Sequence, residues 1–339
     1  MMTAQEAVLD LIFGRWRSQT LHAGVKLGVF EVVGEMPKLA TGIAAELGLD
    51  GALGYRLMRA LGTLGLLQED ETRKFAITEA GALLRADHPE SLRAMTLLEE
   101  GPEHYAIWTH LTNMVRDGEQ NAFVREYGHM AFDHTAGDPD YGARFNDAMS
   151  SYSNVQTALV LDALKARGMP ISGHLCDIAG GHGHLLCHIL AENQALTGTV
   201  FDLPSVIDDE ERLWAAKLGL TERCAFVGGD MFESIPSADI YFMKLILHDW
   251  NDDECIRILE NIHRASDGNA RVIIVEHLIT DHDTPHFSKL FDIHMMCWGT
   301  GRERSPDEYA ELLARAGWRH IGTWYPESRL MGLVEGEKT

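Results

Sequence analysis

Residues 175–204 read LCDIAGGHGHLLCHILAENQALTGTVFDLP, and this stretch decides the fold of the 339-residue chain. An apolar segment ends in Asp177 and leads into a glycine-rich turn that starts at Gly180. An apolar helical stretch follows, and then a second short strand that ends in Asp202. This order, with an acidic residue about 20 positions after the glycines, is typical of adenosine-binding α/β folds. We therefore expect the turn to approach a ligand closely and Asp202 to accept hydrogen bonds from ribose hydroxyls.

The spacing of the glycines separates two classes of adenosine ligand. A dinucleotide site has the pattern G-x-G-x-x-G, whose third glycine lets the helix pack tightly on the strand beside a pyrophosphate. Counted from Gly181, that third position is Leu186. The sequence therefore disfavours a dinucleotide and predicts a phosphate-free adenosine cofactor, for which S-adenosylmethionine is the candidate.

Composition and charge exclude several classes of protein. The chain is 45% hydrophobic and 24% charged, as is ordinary for a globular protein, and its net charge of −22 disfavours nucleic acid and anionic membranes as partners. No apolar run is long enough to span a membrane, and the N-terminus lacks the pattern of a secretion signal. Five scattered cysteines without a C-x-x-C pair favour the reducing cytoplasm over a disulfide framework.

The chain divides into three regions. Residues 1–100 show short amphipathic helices, with Thr41 as the N-cap of the second, and a strand pair in LLQEDETRKFAIT, which together predict a winged-helix-like dimerisation domain. Residues 101–170 look helical and are expected to form a linker and part of a substrate pocket. Residues 171–339 alternate strands with helices, which predicts a doubly wound, mostly parallel sheet of the Rossmann-like type.

Charged residues follow the predicted strands of this last region. Ligands of doubly wound sheets bind beyond the carboxyl ends of the strands. The acidic and basic residues at such ends are Asp177, Asp202, Asp230, Lys244, His248 and Glu276.

Several motifs together resemble one known family. They are DIAGGHG (177–183), FDLP (201–204), GGDMFESIPSADIY (228–241), LILHDWND (245–252), VIIVE (272–276) and GRERSPDEYAELLARAGW (301–318). With the winged N-terminal region, they make the chain similar to the class I S-adenosylmethionine-dependent small-molecule O-methyltransferases of the caffeic-acid and hydroxyindole type, including bacterial natural-product enzymes. The first motif departs from the usual D-x-G-G-G-x-G because Ala179 replaces a glycine.

The resemblance implies a role for each matching residue. Cofactor binding would fall to Asp177, Gly180, Gly181, Asp202, Leu203, Asp230, Met231 and Lys244. His248 would be the general base, and Glu276 and Glu303 would orient its imidazole. The acceptor would contact Asp249, His294, Met295, Trp298, Met149 and Phe145, with Trp108 as a further candidate. No metal is implied.

The resemblance also implies a homodimer through the N-terminal domain, and the apolar residues of the first helices are more than a small wing can cover. These residues are Leu9, Ile12, Phe13, Trp16, Leu21, Val25 and Leu27.

The chemistry of methyl transfer makes His248 a sensible base. A hydroxyl acceptor must lose its proton, and a histidine is the side chain whose ordinary pKa lies nearest neutrality. A carboxylate beside the imidazole fixes its tautomer and stabilises the imidazolium. The predicted activity is methyl transfer to a hydroxyl of a small aromatic acceptor of the natural-product kind.

Other activities remain open at this point. The same fold supports N- or C-methylation, and His248 with Asp249 and His294 resembles the metal ligands of iron-dependent α-keto-acid C-methyltransferases. The cluster His182, His184 and His188 looks like a metal site, but a zinc ion there would crowd the cofactor turn. A winged-helix regulator that senses S-adenosylmethionine is disfavoured because the N-terminal region carries more acidic than basic residues.

Overall fold

The computed structural model describes residues 2–169, 172–208 and 210–339. It divides into two compact units, the first formed by residues up to Ala106 with Thr135–Tyr152, and the second by Ile107–His134 with Ser153–Thr339. Long helix α12 begins in the first unit and ends in the second. No helix among these residues is long and apolar enough to cross a membrane. The division of the sequence at residues 100 and 170 stays a prediction.

The first unit contains helices around a small antiparallel sheet of order β1-β3-β2. Its elements are α1 (Ala4–Ile12), α2 (Gly14–Lys26), α3 (Val29–Val32), β1 (Lys38–Leu39), α4 (Ala40–Glu46), α5 (Gly51–Thr63), β2 (Leu67–Glu69), β3 (Lys74–Ile77), α6 (Glu79–Ala82), α7 (Arg93–Glu99), and most of α8 (Pro102–Ile107). The predicted strand pair is confirmed, because Leu67 to Glu69 pair antiparallel with Phe75 to Ile77.

Two details of the first unit differ from expectation. Helix α4 begins at Ala40 with Leu39 as its N-cap, so Thr41 lies inside the helix and caps nothing. Leu21 and Val25, expected on an uncovered face, instead pack into the core of their own unit, with Val25 only 2% exposed. The backbone hydrogen bond from Ala40 to the carbonyl of Arg73 draws the helix start back to the sheet.

The second unit is built on a seven-stranded sheet of order β6-β5-β4-β7-β8-β10-β9. Its strands are β4 (Gly173–Ile178), β5 (Leu196–Asp202), β6 (Cys224–Gly228), β7 (Ile240–Lys244), β8 (Arg271–Glu276), β9 (Trp318–Trp324) and β10 (Gly332–Lys338). Its helices are α9 (Leu111–Asp117), α10 (Ala122–Tyr127), α11 (Ala131–Gly137), α12 (Pro139–Arg167), α13 (His184–Glu192), α14 (Pro204–Ile207), α15 (Trp214–Lys217), α16 (Asp252–Ala265), α17 (Phe287–Trp298) and α18 (Pro306–Arg315), of which α11 and α12 lie partly in the first unit. Three one-turn 3₁₀ helices cover Trp108–His110, Glu210–Arg212 and Leu247–Asp249.

The sheet confirms the doubly wound prediction. Strands β4 to β8 pair in parallel, and β10 pairs antiparallel with β8 and β9. Successive residues of β8 alternate between two apolar clusters: Val272 and Ile274 join one, and Ile273 and Val275 join the other. Since successive side chains of a strand point to opposite faces, the sheet is covered on both sides, as parallel sheets require.

Leu186 occupies the place of the missing third glycine. It is fully buried on α13, and its methyl groups lie where a side chain at Gly198 would stand, 2.9 Å from an ideal Cβ. Here Gly198 on strand β5, and not a residue of helix α13, is the glycine that permits close packing of the helix on the strand. This explains how the fold accepts a leucine at a position that a dinucleotide site fills with glycine.

Candidate active site

The glycine turn between β4 and α13 adopts a left-handed backbone at three positions. The φ angles are 52° at Ala179, 58° at Gly181 and 82° at Gly183. The turn is closed by the hydrogen bond from the Gly183 amide to the Gly180 carbonyl, 3.0 Å long. Ala179 therefore carries a side chain in a conformation that favours glycine, which is the cost of its departure from the family motif.

The carboxylates of Asp177 and Asp202 both lie against the glycine turn. Asp177 is 2% exposed and lies so close to Gly180 that a Cβ there would stand 2.7 Å from its carboxylate carbon. Asp202 accepts hydrogen bonds from the amides of Gly181 and Leu203, both 2.7 Å. Burial raises the pKa of Asp177 to about 7, against the opposing effect of Lys244, and burial also raises the pKa of Asp202.

Lys244 ends β7 and meets a residue that the sequence analysis missed. Its ammonium donates to Oε1 of Gln156 over 2.9 Å, and burial lowers its pKa although Asp177 and Glu276 oppose the shift. Because an ammonium only donates, this bond fixes the amide of Gln156 and leaves its Nε2 buried, with no partner in the described part of the chain. Gln156 lies on α12, far from β7 in sequence, and no sequence motif marked it.

Three further residues predicted to bind the cofactor lie just after strands β5 and β6. Asp230 follows β6 and accepts from the amide of Phe232 over 2.8 Å, which folds the loop back on itself. Met231 is partly buried, and its carbonyl accepts from Nδ2 of Asn261 over 2.8 Å. Leu203, after β5, leaves half of its surface exposed. These positions at the carboxyl ends of β5 and β6 agree with the expected ligand side of the sheet.

This edge of the sheet suits a phosphate-free adenosine ligand. Its acceptors are the carboxylates of Asp177 and Asp202, and its donors are Lys244 and the buried, unpartnered amide of Gln156. Carboxylates at the strand ends repel a pyrophosphate, whereas they accept hydrogen bonds from ribose hydroxyls and from an ammonium. S-adenosylmethionine carries both kinds of group, so the residues fit it.

His248 lies in the 3₁₀ helix Leu247–Asp249, which with Trp250 we call the base turn (residues 247–250). Its Nδ1 is 2.7 Å from Oε1 of Glu303 and 3.6 Å from Oε2 of Glu276. All three residues are buried, and Oε1 of Glu276 also accepts from the amide of Ile246 over 3.2 Å. The fold thus brings the predicted trio together: His248 from the turn after β7, Glu276 from the end of β8, and Glu303 from the loop before α18.

The electrostatics of this trio differ from the expectation of a base poised near neutrality. Burial acts to lower the pKa of His248, but Glu276, Asp249 and Glu303 outweigh it and raise the pKa to about 10. Burial raises the pKa of Glu276, and burial raises that of Asp249 to about 6. The cause is that three carboxyl groups lie close to one imidazole. His248, Asp249 and Glu276 therefore keep their protons to a higher pH than the same side chains do in water.

The free side of the imidazole is its Nε2. A neutral imidazole has one N–H, and Nδ1 must carry it because a carboxylate only accepts. Nε2 then offers its lone pair to a proton. Oδ1 of Asp249 lies 3.7 Å from Nε2, beyond hydrogen-bonding distance but beside the same position.

Helix α17 carries a row of three rings, the first of which lies beside His248. Phe291, His294 and Trp298 are three and four positions apart and therefore share one helix face. The ring planes of Phe291 and His294 differ by 10° at 5.6 Å, and those of His294 and Trp298 by 16° at 6.4 Å. The ring of Phe291 lies 5.6 Å from that of His248. Phe291 was missed, although the helical spacing before His294 could have revealed it.

The other predicted acceptor residues fall in different places. Met295 is 2% exposed and follows His294 directly, so it occupies a different face of α17. Trp108 lies 6.2 Å from the ring of His294. Phe145 and Met149 lie on the part of α12 that belongs to the first unit. Their role in acceptor binding stays a prediction.

The histidines after the glycine turn have structural partners. Nδ1 of His184 and Oγ1 of Thr157 are 2.8 Å apart, and Nδ1 of His188 donates to the carbonyl of His184 over 2.7 Å. The two imidazoles stack at 4.3 Å, and Trp214 meets His184 edge-on at 4.4 Å. Burial lowers the pKa of His184 to about 3, so this imidazole is neutral.

Geometry groups possible metal ligands differently from the sequence. Ligand atoms of His248, Glu276 and Glu303 lie within 4.8 Å of one another. The set His248, Asp249 and His294 does not form such a group in residues 2–169, 172–208 and 210–339.

Comparisons with known proteins agree with this geometry. A family model described as an O-methyltransferase domain matches residues 108–319, and one described as an O-methyltransferase dimerisation domain matches residues 9–87. The chain is 34% identical to the phenazine O-methyltransferase PhzM of Lysobacter antibioticus over 313 residues, which cover 92% of this chain and 90% of that protein. It is 34% identical to the mitomycin biosynthesis 6-O-methyltransferase of Streptomyces lavendulae over 319 residues, covering 93% and 89%.

The chain also resembles a solved structure that contains S-adenosylmethionine. The crystal structure of human N-acetylserotonin methyltransferase in complex with S-adenosylmethionine superimposes with a TM-score of 0.88 at 26% identity, covering 100% of this chain and 98% of that one.

Proposed function

The chain belongs to the family of S-adenosylmethionine-dependent O-methyltransferases, and we propose that it methylates a phenolic hydroxyl of a small aromatic natural product with His248 as the general base. The observation that carries the proposal is the buried contact of 2.7 Å between Nδ1 of His248 and Glu303, which leaves Nε2 as the proton acceptor. Glu303 holds the imidazole in this tautomer, and Glu276 and Glu303 together balance the charge that it gains.

The residues that would hold the cofactor lie at the carboxyl ends of β4 to β7. They are Asp177, Gly180, Gly181, Asp202, Leu203, Asp230, Met231 and Lys244. When bound, S-adenosylmethionine supplies an electrophilic methyl group on a sulfonium. The chain's own part is to bind the adenosine and the amino-acid tail, to exclude water, and to present the acceptor oxygen in line.

His248 moves the proton of the acceptor. The ordinary pKa of a phenol is roughly 10, as for tyrosine. Because the pKa of His248 is raised to about 10, proton transfer from a phenolic oxygen to Nε2 is close to balanced. An aliphatic alcohol is a far weaker acid, so proton transfer to the same base is less favourable than from a phenol. The raised pKa therefore supports a phenolic acceptor.

The shape of the acceptor follows from helix α17. The nearly parallel rings of Phe291, His294 and Trp298 favour a flat aromatic molecule, because offset stacking adds to the burial of apolar area. We also assign His294, on the same helix face, to acceptor binding. Asp249, beside Nε2 of His248, and Met295, Met149 and Phe145 complete the set that we propose for acceptor binding.

We propose that the protein is a homodimer that works in the cytoplasm. Helix α1 has no buried residue, and Leu9, Ile12 and Trp16 are each about half exposed or more. Phe13 stacks on Trp16 at 4.2 Å, which makes a continuous apolar surface of the kind that protein interfaces cover. The dimerisation model over residues 9–87 supports a second copy as the partner, and the unpaired cysteines support a reducing compartment.

The experiment offers the purified protein S-adenosylmethionine with matched panels of phenols, arylamines and α-keto acids, with and without a chelator. We expect turnover of phenols that does not respond to the chelator. Turnover confined to arylamines or keto acids, or lost on chelation, would contradict the proposal.

A further inference from the structure

The base turn is only weakly stabilised by its own backbone hydrogen bonds. It is a single 3₁₀ turn between β7 and α16, and such turns have poor hydrogen-bond geometry. Its internal bonds are long, 3.2 Å from the amide of Asp249 and 3.3 Å from that of Trp250. The position of His248 must therefore be set by contacts from elsewhere.

Arg304 supplies such contacts from the loop before α18. Its side chain is fully buried, and its guanidinium donates to the carbonyl of Leu247 over 3.0 Å and to that of Trp250 over 2.9 Å. These two carbonyls flank His248 on either side. A second edge of the guanidinium donates to Oδ1 of Asp252, at the start of α16, over 2.7 and 3.1 Å.

The same loop touches the base turn at two other points. An ideal Cβ on Gly301 would stand 1.9 Å from the carbonyl oxygen of His248, so only glycine lets the backbones meet. Glu303 accepts from the imidazole itself. Residues 301–304, the GRER segment, thus contact the backbone of the base turn through Gly301 and Arg304 and its side chain through Glu303.

We propose that Arg304 is a positioning residue that holds the imidazole of His248 against Glu303. A guanidinium is a rigid planar fork with five donors, so it can bind both carbonyls and Asp252 at once. A lysine ammonium reaches one or two of these acceptors, and a carbonyl that it does not reach keeps the weaker bond from the Cys255 thiol, 3.1 Å to Leu247 and 3.5 Å to Trp250. The turn would then shift, and the contact of 2.7 Å between Nδ1 and Glu303 would lengthen. This inference rests on the proposed role of His248 as the base.

Arg302 provides a matched control. It lies two residues away, carries the same charge, and pairs with Glu308 and with the same Asp252, but it is half exposed and its guanidinium donates no hydrogen bond to the described residues 247–250. Arg302→Lys therefore makes the same change of side chain near Asp252, with the charge kept, without removing the Arg304 guanidinium from the carbonyls.

The experiment compares Arg304→Lys with Arg302→Lys in the full-length protein. Three quantities are measured: kcat as a function of pH, the Kd of S-adenosylhomocysteine, and the downfield proton NMR signal of the His248 Nδ1–H. For Arg304→Lys we expect kcat to fall by about 10–100-fold, as for a misplacement of the order of 1 Å, with a shifted kinetic pKa. We also expect a displaced or broadened Nδ1–H signal and an unchanged Kd. Arg302→Lys should match the wild type.

Gly301→Ala serves if Arg304→Lys does not fold, because it disturbs the same turn from the other side. It should lower kcat and displace the Nδ1–H signal with cofactor affinity retained. Wild-type kcat and an unmoved signal in a folded Arg304→Lys, or in Gly301→Ala, would overturn the proposal. If His248→Ala is inactive and Arg304→Lys is normal, only the positioning role of Arg304 is contradicted. If His248→Ala is fully active, the role of His248 as the base is contradicted as well.

Discussion

Nδ1 of His248 lies 2.7 Å from Glu303 and 3.6 Å from Glu276, in a place where all three side chains are withdrawn from water. The two carboxyls are not equivalent, since Glu303 has the short contact and Glu276 divides its oxygens between the imidazole and the amide of Ile246. We infer that Glu303 orients the imidazole and that Glu276 mainly adjusts the charge of the cluster.

The first prediction concerns pH. Because neighbouring carboxyls raise the pKa of His248 to about 10, the neutral base forms only as the pH rises, so kcat should increase from neutral pH into the alkaline range. Glu303→Gln removes one negative charge, which lowers the pKa of the imidazole and should move the rising limb toward acid, with a lower plateau. The pH profile of kcat under saturating substrates measures this, and a limb that moves toward alkali would refute the assignment.

The second prediction concerns cofactor binding. Asp202→Ala should weaken S-adenosylhomocysteine binding by about 1.5–3 kcal/mol, the usual loss for hydrogen bonds to a charged group. The mechanism is loss of the carboxylate that already orients the amide of Gly181. Glu222→Ala, an exposed carboxylate of the same unit, is the control and should bind normally. Calorimetry gives the Kd, and equal affinities in the two variants would contradict the site.

The third prediction concerns the strained turn. Ala179 has φ of 52°, so Ala179→Gly should raise the free energy of unfolding by about 1 kcal/mol. Ala314→Gly makes the same change on the exposed side of helix α18 and should lower it by about 1 kcal/mol. Urea unfolding of both variants tests the pair. Two changes of the same sign would show that the backbone at Ala179 is not strained.

The fourth prediction concerns assembly. Light scattering at micromolar concentration should give about twice 37.7 kDa. Trp16→Glu places a charge on the exposed apolar surface at the start of α2 and should yield a monomer, whereas Val115→Glu, similarly exposed on the second unit, should stay dimeric. A wild-type monomer with full activity would exclude a functional dimer.

The parts of this molecule that follow from local sequence were predictable. The strand ends and the glycine turn each stand in a short motif with its own signal, and the trio His248, Glu276 and Glu303 was implied by the resemblance of several such motifs to a known family. Contacts between distant segments were not: nothing in the sequence joins Gln156 to Lys244 or Arg304 to Leu247, because neither pair has a fixed spacing. Thr41 failed as a helix cap because a backbone bond to the small sheet starts α4 earlier.

The sequence also did not show which apolar residues of the first helices are buried. Leu21 and Val25 look like Leu9 and Trp16 in sequence, yet the first pair packs into the core of its unit and the second lies on its surface. The charge state of His248 also escaped the sequence, because it depends on three carboxyls converging from separate loops.

The central claim is that His248 removes the acceptor proton, and kcat of His248→Ala with a phenolic acceptor tests it most directly. The account predicts a fall of roughly 10²–10⁴, the range for loss of a general base. S-adenosylhomocysteine affinity should be unchanged, activity should recover partly at high pH as solvent ionises the phenol, and the remote variant His320→Gln should behave as the wild type. Unchanged kcat in His248→Ala would contradict the account.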